Sequence, residues 1–276
     1  MDEIDFPLPD GRVLHAYDSA PGDNERAVVV WHHGTPGLGT PPAPLDAAAE
    51  ELGIRWISFD RPGYGGSTPA PGRTVGSVAA DLTTVLDTLG IRRCAQLGYS
   101  GGGTYALGAA ALLGDRVTAV ATLAAIAPYP DDTAKGLDWY DGMIASGLAS
   151  LHAAADGREA RLANEAVEYD PEFTAADLAM FDGPWGWLGS VAGGPHGPDG
   201  PVDDDCSYVQ PWHWATITAP TLLVHGTADR IIPWSHARWL AENLPAATLD
   251  IRQDLSHITI LDQAEPALRW IRKQIG

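Results

Sequence analysis

The sequence predicts an α/β fold in which a mostly parallel sheet is flanked by helices and interrupted by an inserted, mainly helical cap. Short apolar runs alternate with longer helical patterns over residues 28–123 and again from residue 221 onwards. Between these two stretches, residues 128–214 are polar and aromatic, with helical patches and no clear strand. Strands that alternate with helices form parallel sheets covered on both faces. We therefore assign residues 1–127 and 215–276 to one core and residues 128–214 to the cap.

The first part of the core contains four predicted strands and two predicted helices. The strands are short apolar runs at residues 28–31 and 54–59, a run that ends near Leu97, and a run at 117–123. The first helix is predicted over residues 74–89, because its apolar residues recur at helical spacing and Gly90 follows as a stop signal. An Ala-rich helix is predicted over residues 102–113.

The second part of the core resumes the same alternation. Strands are predicted at 221–225 and 247–252, and a helix at 235–244 that Pro245 ends. The last helix presents one apolar face, and Pro266 is acceptable in its first turn. Inside the predicted cap, the Gly/Pro-rich residues 183–201 are expected to be mostly loop.

Composition excludes several classes of protein. Lys and Arg number 17 against 36 Asp and Glu, so the formal charge is −19, which argues against binding to nucleic acid or to an anionic membrane surface. The two cysteines cannot form a disulfide framework. The N-terminus lacks the features of a signal peptide, and no apolar stretch approaches the length of a membrane span. We expect a cytoplasmic protein that acts on a small molecule; its oligomeric state is left open between monomer and homodimer.

The segment Gly98-Tyr99-Ser100-Gly101-Gly102 is the strongest chemical signal. It matches G-x-S-x-G and lies between a predicted strand and a predicted helix, which is the context of a nucleophile elbow. The flanking glycines remove Cβ atoms where strand and helix approach closely. Ser100 is therefore the predicted nucleophile.

A serine nucleophile needs a base, and the base needs an acid that orients it. Asp229 follows the strand at 221–225, and His257 follows the strand at 247–252. Both are placed where parallel strands end and where such sheets build their sites. The strand at 117–123 has no carboxylate after it before Asp131, so Asp229 is the predicted acid and His257 the predicted base.

The remaining histidines give no sign of a metal centre. His225 lies inside a predicted strand and is interpreted as a core residue. His32 and His33 are adjacent, so on a strand they point to opposite faces and cannot form a two-histidine site. No metal-binding motif accompanies them, and neither a metal nor a cofactor is expected.

The loop His33-Gly34-Thr35-Pro36-Gly37 follows the first buried core strand. Acyl transfer creates an oxyanion that needs two backbone N–H donors. One donor is expected from Gly101, the residue after the nucleophile, and the other from this early loop. Thr35 is the predicted second donor, because Pro36 has no N–H.

Five motifs in order make the chain similar to the α/β-hydrolase superfamily: HGTPG (33–37), DRPGYGGS (60–67), GYSGGG (98–103), HGTAD (225–229) and SH (256–257). The resemblance implies the α/β-hydrolase fold with a Ser-Asp-His triad. Ser100 disfavours the dehalogenases and epoxide hydrolases, whose members carry Asp at this position. The resemblance also implies that Asp60 and Arg61 clasp their loop rather than bind substrate.

The chain partly resembles proline iminopeptidases, which also have an H-G-x-P-G loop. It departs from them at Thr35, where they usually have Gly, and at Gly101, where they have Trp. The expected activity is hydrolysis, through an acyl-enzyme, of a carboxylic ester, lactone or thioester of small to medium size that is partly apolar. A proline iminopeptidase-like aminopeptidase and a ligand receptor with little turnover remain as alternatives, because fold alone does not determine function.

Aromatic residues of the predicted cap are candidates for a substrate-binding surface, although large apolar side chains are more often core. The tentative substrate-binding residues are Tyr99, beside the nucleophile, and Trp139, Trp185, Trp187, Trp212 and Trp214. The acidic run Asp203-Asp204-Asp205 is expected to be a solvated surface loop.

Overall fold

The computed structural model describes residues 1–192 and 197–275. In these residues, eight strands form one sheet in the order β1-β2-β4-β3-β5-β6-β7-β8. The strands are β1 (Asp2–Pro7), β2 (Val13–Asp18), β3 (Ala27–His32), β4 (Ile54–Phe59), β5 (Cys94–Tyr99), β6 (Val117–Leu123), β7 (Thr221–Gly226) and β8 (Ala247–Arg252). Neighbouring strands from β4 to β8 pair in parallel, and β2 is antiparallel to both β1 and β4. The predicted mostly parallel α/β sheet is confirmed.

Helices cover both faces of the sheet, which is why β4, β5 and β7 are buried along their whole length. The core helices are α1 (Asp46–Glu51), α2 (Val75–Thr88), α3 (Gly101–Leu113), α9 (Ser235–Asn243) and α10 (Ala264–Ile275). Helices α2, α3 and α9 contribute to one apolar cluster, and α1 and α10 contribute to the other. Every helix and strand predicted for the two core parts is present, and those predicted with both bounds agree with the structure within about two residues.

Helices also lie between β6 and β7: α4 (Ala145–Ala155), α5 (Arg158–Asn164), α6 (Ala175–Met180), α7 (Trp187–Ala192) and α8 (Asp199–Tyr208). We refer to residues 128–214 as the helical segment. Its described residues contain no strand, as the sequence predicts. Short 3₁₀ turns occur at Ala43–Leu45, Gly114–Arg116, Pro184–Gly186 and Thr259–Gln263.

Three features differ from the sequence prediction. The hairpin of β1 and β2 was not predicted, because β1 carries Asp and Glu between its apolar residues and buries only Phe6. The stretch 183–201 is not mostly loop: a 3₁₀ turn, α7 and the start of α8 fall within it, and its residues 193–196 lie outside the described residues.

The third difference concerns Asp203-Asp204-Asp205, which form part of α8 and not a solvated loop. Asp203 and Asp204 are only 1% and 0% exposed. Arginines distant in the sequence neutralise them, and a local charge pattern cannot indicate such partners.

Candidate active site

Ser100 occupies the sharp turn between β5 and α3. Its φ of 55° and ψ of −132° are unusual for a residue with a side chain, and such conformations persist where the surrounding structure holds them. Glycines make this turn possible: a Cβ on Gly98 would lie 2.3 Å from the carbonyl oxygen of Gly102, and a Cβ on Gly102 would lie 2.1 Å from that of His32. The Ser100 N–H donates to the Leu123 carbonyl at 2.8 Å, which fixes the turn to β6.

The structure brings Ser100, His257 and Asp229 into one hydrogen-bonded line. Ser100 Oγ lies 2.9 Å from His257 Nε2, and His257 Nδ1 lies 2.8 Å from Asp229 Oδ2. Asp229 and His257 lie in the loops after β7 and β8, as the sequence predicts. An ionised carboxylate only accepts hydrogen bonds, so His257 carries its proton on Nδ1 and presents Nε2 as an acceptor to the serine hydroxyl.

The surroundings of Asp229 favour its ionised form. Its Oδ1 accepts the N–H groups of Ile231 and Ile232, each at 2.9 Å. Burial by itself raises the pKa of Asp229, but its interactions with the imidazole rings of His257 and His225 outweigh this effect and hold the pKa below its ordinary value. His225 is buried, as predicted, and its Nε2 donates to the Ile232 carbonyl at 2.7 Å. It thereby fixes the turn that holds Asp229.

A carboxylate of the helical segment, Asp177, holds the loop that carries His257. Its Oδ1 accepts from Ser256 Oγ at 2.5 Å, from the Ile258 N–H at 3.0 Å and from the Thr259 N–H at 2.9 Å. Burial raises the pKa of Asp177, but hydrogen bonds from Ser256, Thr259 and Thr174 outweigh this effect and lower the pKa. Sequence reasoning missed this residue, because the pattern Thr174-x-x-Asp177 indicates only the start of a helix.

The loop with Thr35 lies against the turn with Gly101. Gly101 is the first residue of α3, so its N–H has no acceptor inside the helix. The N–H of Thr35 has no acceptor among the described residues. The arrangement leaves both predicted oxyanion donors free to bind a substrate oxygen.

Asp60 and Arg61 hold two loops near Ser100 in place, and neither residue lines a cavity at Ser100. Asp60 accepts the N–H groups of Gly39 and Gly66 at 2.7 and 3.0 Å. Arg61 donates to the carbonyls of His33 and Gly34 at 2.5 and 2.9 Å. Asp60 therefore holds its own loop, and Arg61 holds the loop with Thr35.

Asp204 in α8 joins the helical segment to that loop. Its Oδ1 accepts from Arg61 Nε (3.0 Å), Arg73 Nη1 (2.8 Å) and Tyr105 Oη (2.8 Å). Its Oδ2 accepts from Arg61 Nη2 (2.6 Å), Thr35 Oγ1 (2.6 Å) and Tyr64 Oη (2.7 Å). Burial raises the pKa of Asp204, but the two arginine charges prevail and hold the pKa far below its ordinary value. The sequence predicted none of these contacts.

Ser100 lies in the lining of two cavities. We call the first the apolar cavity: it measures about 370 Å³, and its lining includes Trp31, Tyr99, Phe173, Phe181, Trp187 and Ile258. We call the second the acidic cavity: it measures about 340 Å³, and its lining includes Gly101, Arg161, Glu165, Glu168, Asp205 and Tyr208. Ser100 and Thr35 line both cavities. The two groups attached to the reacting carbonyl carbon of a substrate can therefore occupy one cavity each.

Charged side chains distinguish the acidic cavity. Arg161 Nε donates to Asp205 at 2.6 Å and Arg161 Nη1 donates to Glu165 at 2.5 Å, and Glu168 has no ion pair among the described residues. Burial raises the pKa of Asp205 to about 6, against the lowering effect of Arg161. With one arginine against three carboxylates, this cavity favours a cation or a hydrogen-bond donor.

Of the six tentative substrate-binding residues, the structure brings only Tyr99 and Trp187 to a cavity at Ser100. Tyr99 packs against the His257 ring, with centroids 5.4 Å apart, and its hydroxyl donates to the His257 carbonyl at 3.1 Å. The other four line neither cavity, which corrects their predicted placement. Trp139 donates to the Ala127 carbonyl at 2.9 Å, Trp185 packs against Trp187, Trp214 packs against Trp239, and Trp212 lines a different cavity, together with Thr74 and Pro211.

No group of three or more His, Cys, Asp or Glu side chains among the described residues is arranged to hold a metal ion. Likewise, none of the helices in 1–192 and 197–275 is long and apolar enough to cross a membrane.

Comparison with known proteins places this site in a family. The family model of the alpha/beta hydrolase fold matches residues 27–264, and the chain belongs to that family. The match extends over β3 to β8 and therefore includes the elbow, the loop with Thr35 and the loops with Asp229 and His257.

Individual relatives are more distant. The chain is 28% identical over 252 residues to a protein of Caulobacter sp. (strain K31) named as the carbamate hydrolase RutD, covering 83% of this chain and 82% of the relative. It is 26% identical over 266 residues to a non-heme chloroperoxidase of Streptomyces lividans, covering 90% of each. The enol-lactonase of Burkholderia xenovorans LB400 superposes with a TM-score of 0.74 at 21% identity, over 99% of both chains, which shows a shared fold.

Proposed function

We propose that the protein is a serine hydrolase that cleaves a carboxylic ester, lactone or thioester of small to medium, partly apolar character. The hydrogen-bonded line from Ser100 through His257 to Asp229 carries this proposal, together with the N–H groups of Thr35 and Gly101, which have no acceptor among the described residues. The names of the relatives fit it, since they include a carbamate hydrolase and an enol-lactonase.

The geometry supports an acyl-enzyme mechanism. Ser100 Oγ attacks the carbonyl carbon while His257 Nε2 takes its proton. The oxyanion that forms accepts hydrogen bonds from the N–H groups of Thr35 and Gly101. His257 then protonates the leaving alcohol or thiol, and the acyl group stays on Ser100. Water, deprotonated by His257, releases the acid. Asp229 stays ionised and stabilises the imidazolium in both steps, and no cofactor takes part.

The two cavities suggest how the substrate divides between them. The apolar cavity offers the larger gain from burying hydrocarbon, at most about 0.8 kcal/mol per methylene. The acidic cavity offers hydrogen-bond acceptors to the other part of the substrate. The helical segment contributes to both linings, and we propose that it caps the site.

Turnover of p-nitrophenyl esters from acetate to octanoate tests the proposal, together with active-site labelling by a fluorophosphonate. We expect hydrolysis that increases from acetate towards medium chains, and one equivalent of label on Ser100. The Ser100→Ala variant is the control and should show neither. Full ester turnover by Ser100→Ala, or labelling of another residue, would contradict the mechanism.

Aminopeptidase activity is the second candidate, and Asp205, Glu165 and Glu168 favour it. Buried ammonium groups need carboxylate partners, and these three side chains line the cavity at Ser100. Comparison of Pro- and Ala-p-nitroanilide with the uncharged esters separates the candidates. Faster cleavage of the anilides, lost in Asp205→Asn, would establish the peptidase; turnover of neither class would favour a receptor.

A further inference from the structure

Tyr208, the last residue of α8, lies against the turn that carries the nucleophile. A Cβ on Gly101 would lie only 1.9 Å from Tyr208 Oη. The hydroxyl is also 2.7 Å from Thr35 Oγ1. Tyr208 lines the acidic cavity together with Ser100, Thr35 and Gly101. A phenol group from the helical segment therefore adjoins both residues whose N–H groups are the proposed oxyanion donors.

The hydrogen bonds around Thr35 determine where the Tyr208 proton lies in the free protein. Asp204 is ionised and only accepts, so Thr35 donates its single hydroxyl proton to Asp204 at 2.6 Å. Arg61 Nη2 donates to one lone pair of Thr35 Oγ1 at 3.1 Å. Tyr208 therefore donates to the other lone pair.

This donated bond can be exchanged without leaving Thr35 unsatisfied. If the Tyr208 hydroxyl turns towards a substrate, Thr35 Oγ1 still accepts from Arg61 and still donates to Asp204. An oxyanion is a stronger acceptor than a threonine hydroxyl, because hydrogen bonds to ionised groups are about twice as strong as neutral ones. The exchange therefore favours the transition state over the resting state.

The charges behind Tyr208 act in the same direction. Arg61 and Arg73 are both buried, and Asp204 is their shared carboxylate, so these three groups carry one excess positive charge. A fixed positive charge in a desolvated site stabilises negative charge that develops beside it. Burial, followed by the charge of Asp204, raises the pKa of Tyr208 well above its ordinary value. The phenol therefore keeps its proton and remains a donor.

We propose that Tyr208 is a catalytic residue. Its hydroxyl gives up its hydrogen bond to Thr35, donates instead to the substrate carbonyl oxygen, and becomes a third donor to the oxyanion. The inference rests on the acyl transfer proposed at Ser100. It requires no proton transfer from Tyr208: the proton stays on the phenol, and only the acceptor of its hydrogen bond changes.

The Tyr208→Phe variant tests this role, because it keeps the ring and removes the hydroxyl. The readouts are kcat/KM for the best p-nitrophenyl ester and the inhibition constants of two ketones with the same chain. A trifluoromethyl ketone forms a tetrahedral adduct with Ser100, and the methyl ketone serves as its ground-state counterpart. We expect Tyr208→Phe to lower kcat/KM by about 10²-fold and to raise the inhibition constant of the trifluoromethyl ketone by a similar factor. The inhibition constant of the methyl ketone should change by less than about threefold.

Tyr64→Phe is the matched control. It removes a hydroxyl that donates to Asp204 and so belongs to the same hydrogen-bond network as Tyr208, and Tyr64 lines neither cavity at Ser100. We expect its loss of trifluoromethyl ketone affinity to be at least tenfold smaller than that of Tyr208→Phe. Equal losses in the two variants, or a Tyr208→Phe loss shared by both ketones, would show that Tyr208 acts only through the network and would overturn the proposal.

Two measurements on the wild-type protein keep the outcomes distinct. Absence of ester turnover and of Ser100 labelling would overturn the proposed function together with this inference, whereas turnover that Tyr208→Phe leaves undiminished would overturn the inference alone. If Tyr208→Phe does not fold, a crystal structure of the wild-type adduct decides. The proposal requires the Tyr208 hydroxyl within hydrogen-bond distance of the adduct oxygen, and a hydroxyl still bonded to Thr35 would refute it.

Discussion

Replacing Asp204 by Asn should both destabilise the protein and impair ester hydrolysis. Asp204 is 0% exposed and accepts six hydrogen bonds, from Arg61, Arg73 and three hydroxyl groups. An amide in the same place has no charge and only one accepting atom. Arg61 and Arg73 would stay buried without a counter-charge, and the donors now directed at Oδ2 would face an NH₂ group.

Removing one partner of a buried ion pair costs about 3–5 kcal/mol. At about 2.1 cal/mol/K of unfolding entropy per residue, a chain of 276 residues should lose about 5–9 °C of Tm. The pKa of Asp204 lies below its ordinary value in the folded state, so its stabilisation is complete above about pH 4 and is lost only as the pH falls through the folded-state pKa. Thermal unfolding should therefore be measured at pH 7.

Thermal unfolding and ester kinetics measure the two effects. Asp203→Asn is the matched control, because Asp203 is the preceding residue and is equally buried, and its one ion pair among the described residues is with the partly exposed Arg158. We expect a Tm loss below about 2 °C for the control. For Asp204→Asn we also expect at least tenfold lower kcat, since Thr35 and Arg61 lose their common anchor. An equal Tm for the two variants, or an unchanged kcat in Asp204→Asn, would refute the role assigned to Asp204.

Three further predictions concern other parts of the site. Asp177→Ala should lower kcat by about 10–100-fold with little change in KM, because the loop with His257 loses the carboxylate that accepts its hydrogen bonds. Asp182→Ala, at an exposed position, is the control, and a change confined to KM would contradict the prediction. The pKa of Asp205 is raised to about 6, so the folded state binds more protons than the unfolded state between about pH 4 and 6, and wild-type stability falls as the pH rises through that window. The Tm of Asp205→Asn relative to wild type should therefore increase from pH 4 to pH 7, by at most about 5 °C, and a constant difference would argue against the raised pKa. Trp187→Ala should reduce the preference for medium-chain over acetate esters, by up to about fourfold per methylene that is no longer buried, whereas Trp214→Phe should preserve it.

The core of the fold could be predicted because its signals are local. Residues 28–31 form a continuous apolar run, and burial on both sheet faces requires such a run in a parallel strand. The turn at Ser100 needs glycines within a few residues of the serine, so the elbow could also be read from a short segment. Asp229 and His257 became candidates because each follows a predicted strand of the same sheet, and the structure places both in line with Ser100.

The contacts of the helical segment could not be predicted, because their partners are distant in the chain. Asp204 and Arg61 are 143 residues apart, and a run of three acidic residues ordinarily indicates a solvated surface. Asp177 and the loop with His257 are about 80 residues apart. The tryptophans present the same difficulty, since composition indicates that they are buried without indicating which cavity or packing layer they face.

The helical segment does more than line the cavities. Asp177 fixes the loop with His257, Asp204 fixes the loop with Thr35, and Tyr208 adjoins Gly101, so one segment contacts both loops and the turn at Ser100. A buried carboxylate on buried donors holds its partners in one arrangement, because any displacement leaves charges or N–H groups unpaired. Small displacements of reacting groups lower rates steeply. Substitutions that shift α6 or α8 should therefore lower kcat even when they leave the substrate-contacting side chains unchanged, whereas a segment that only covered the substrate would affect KM.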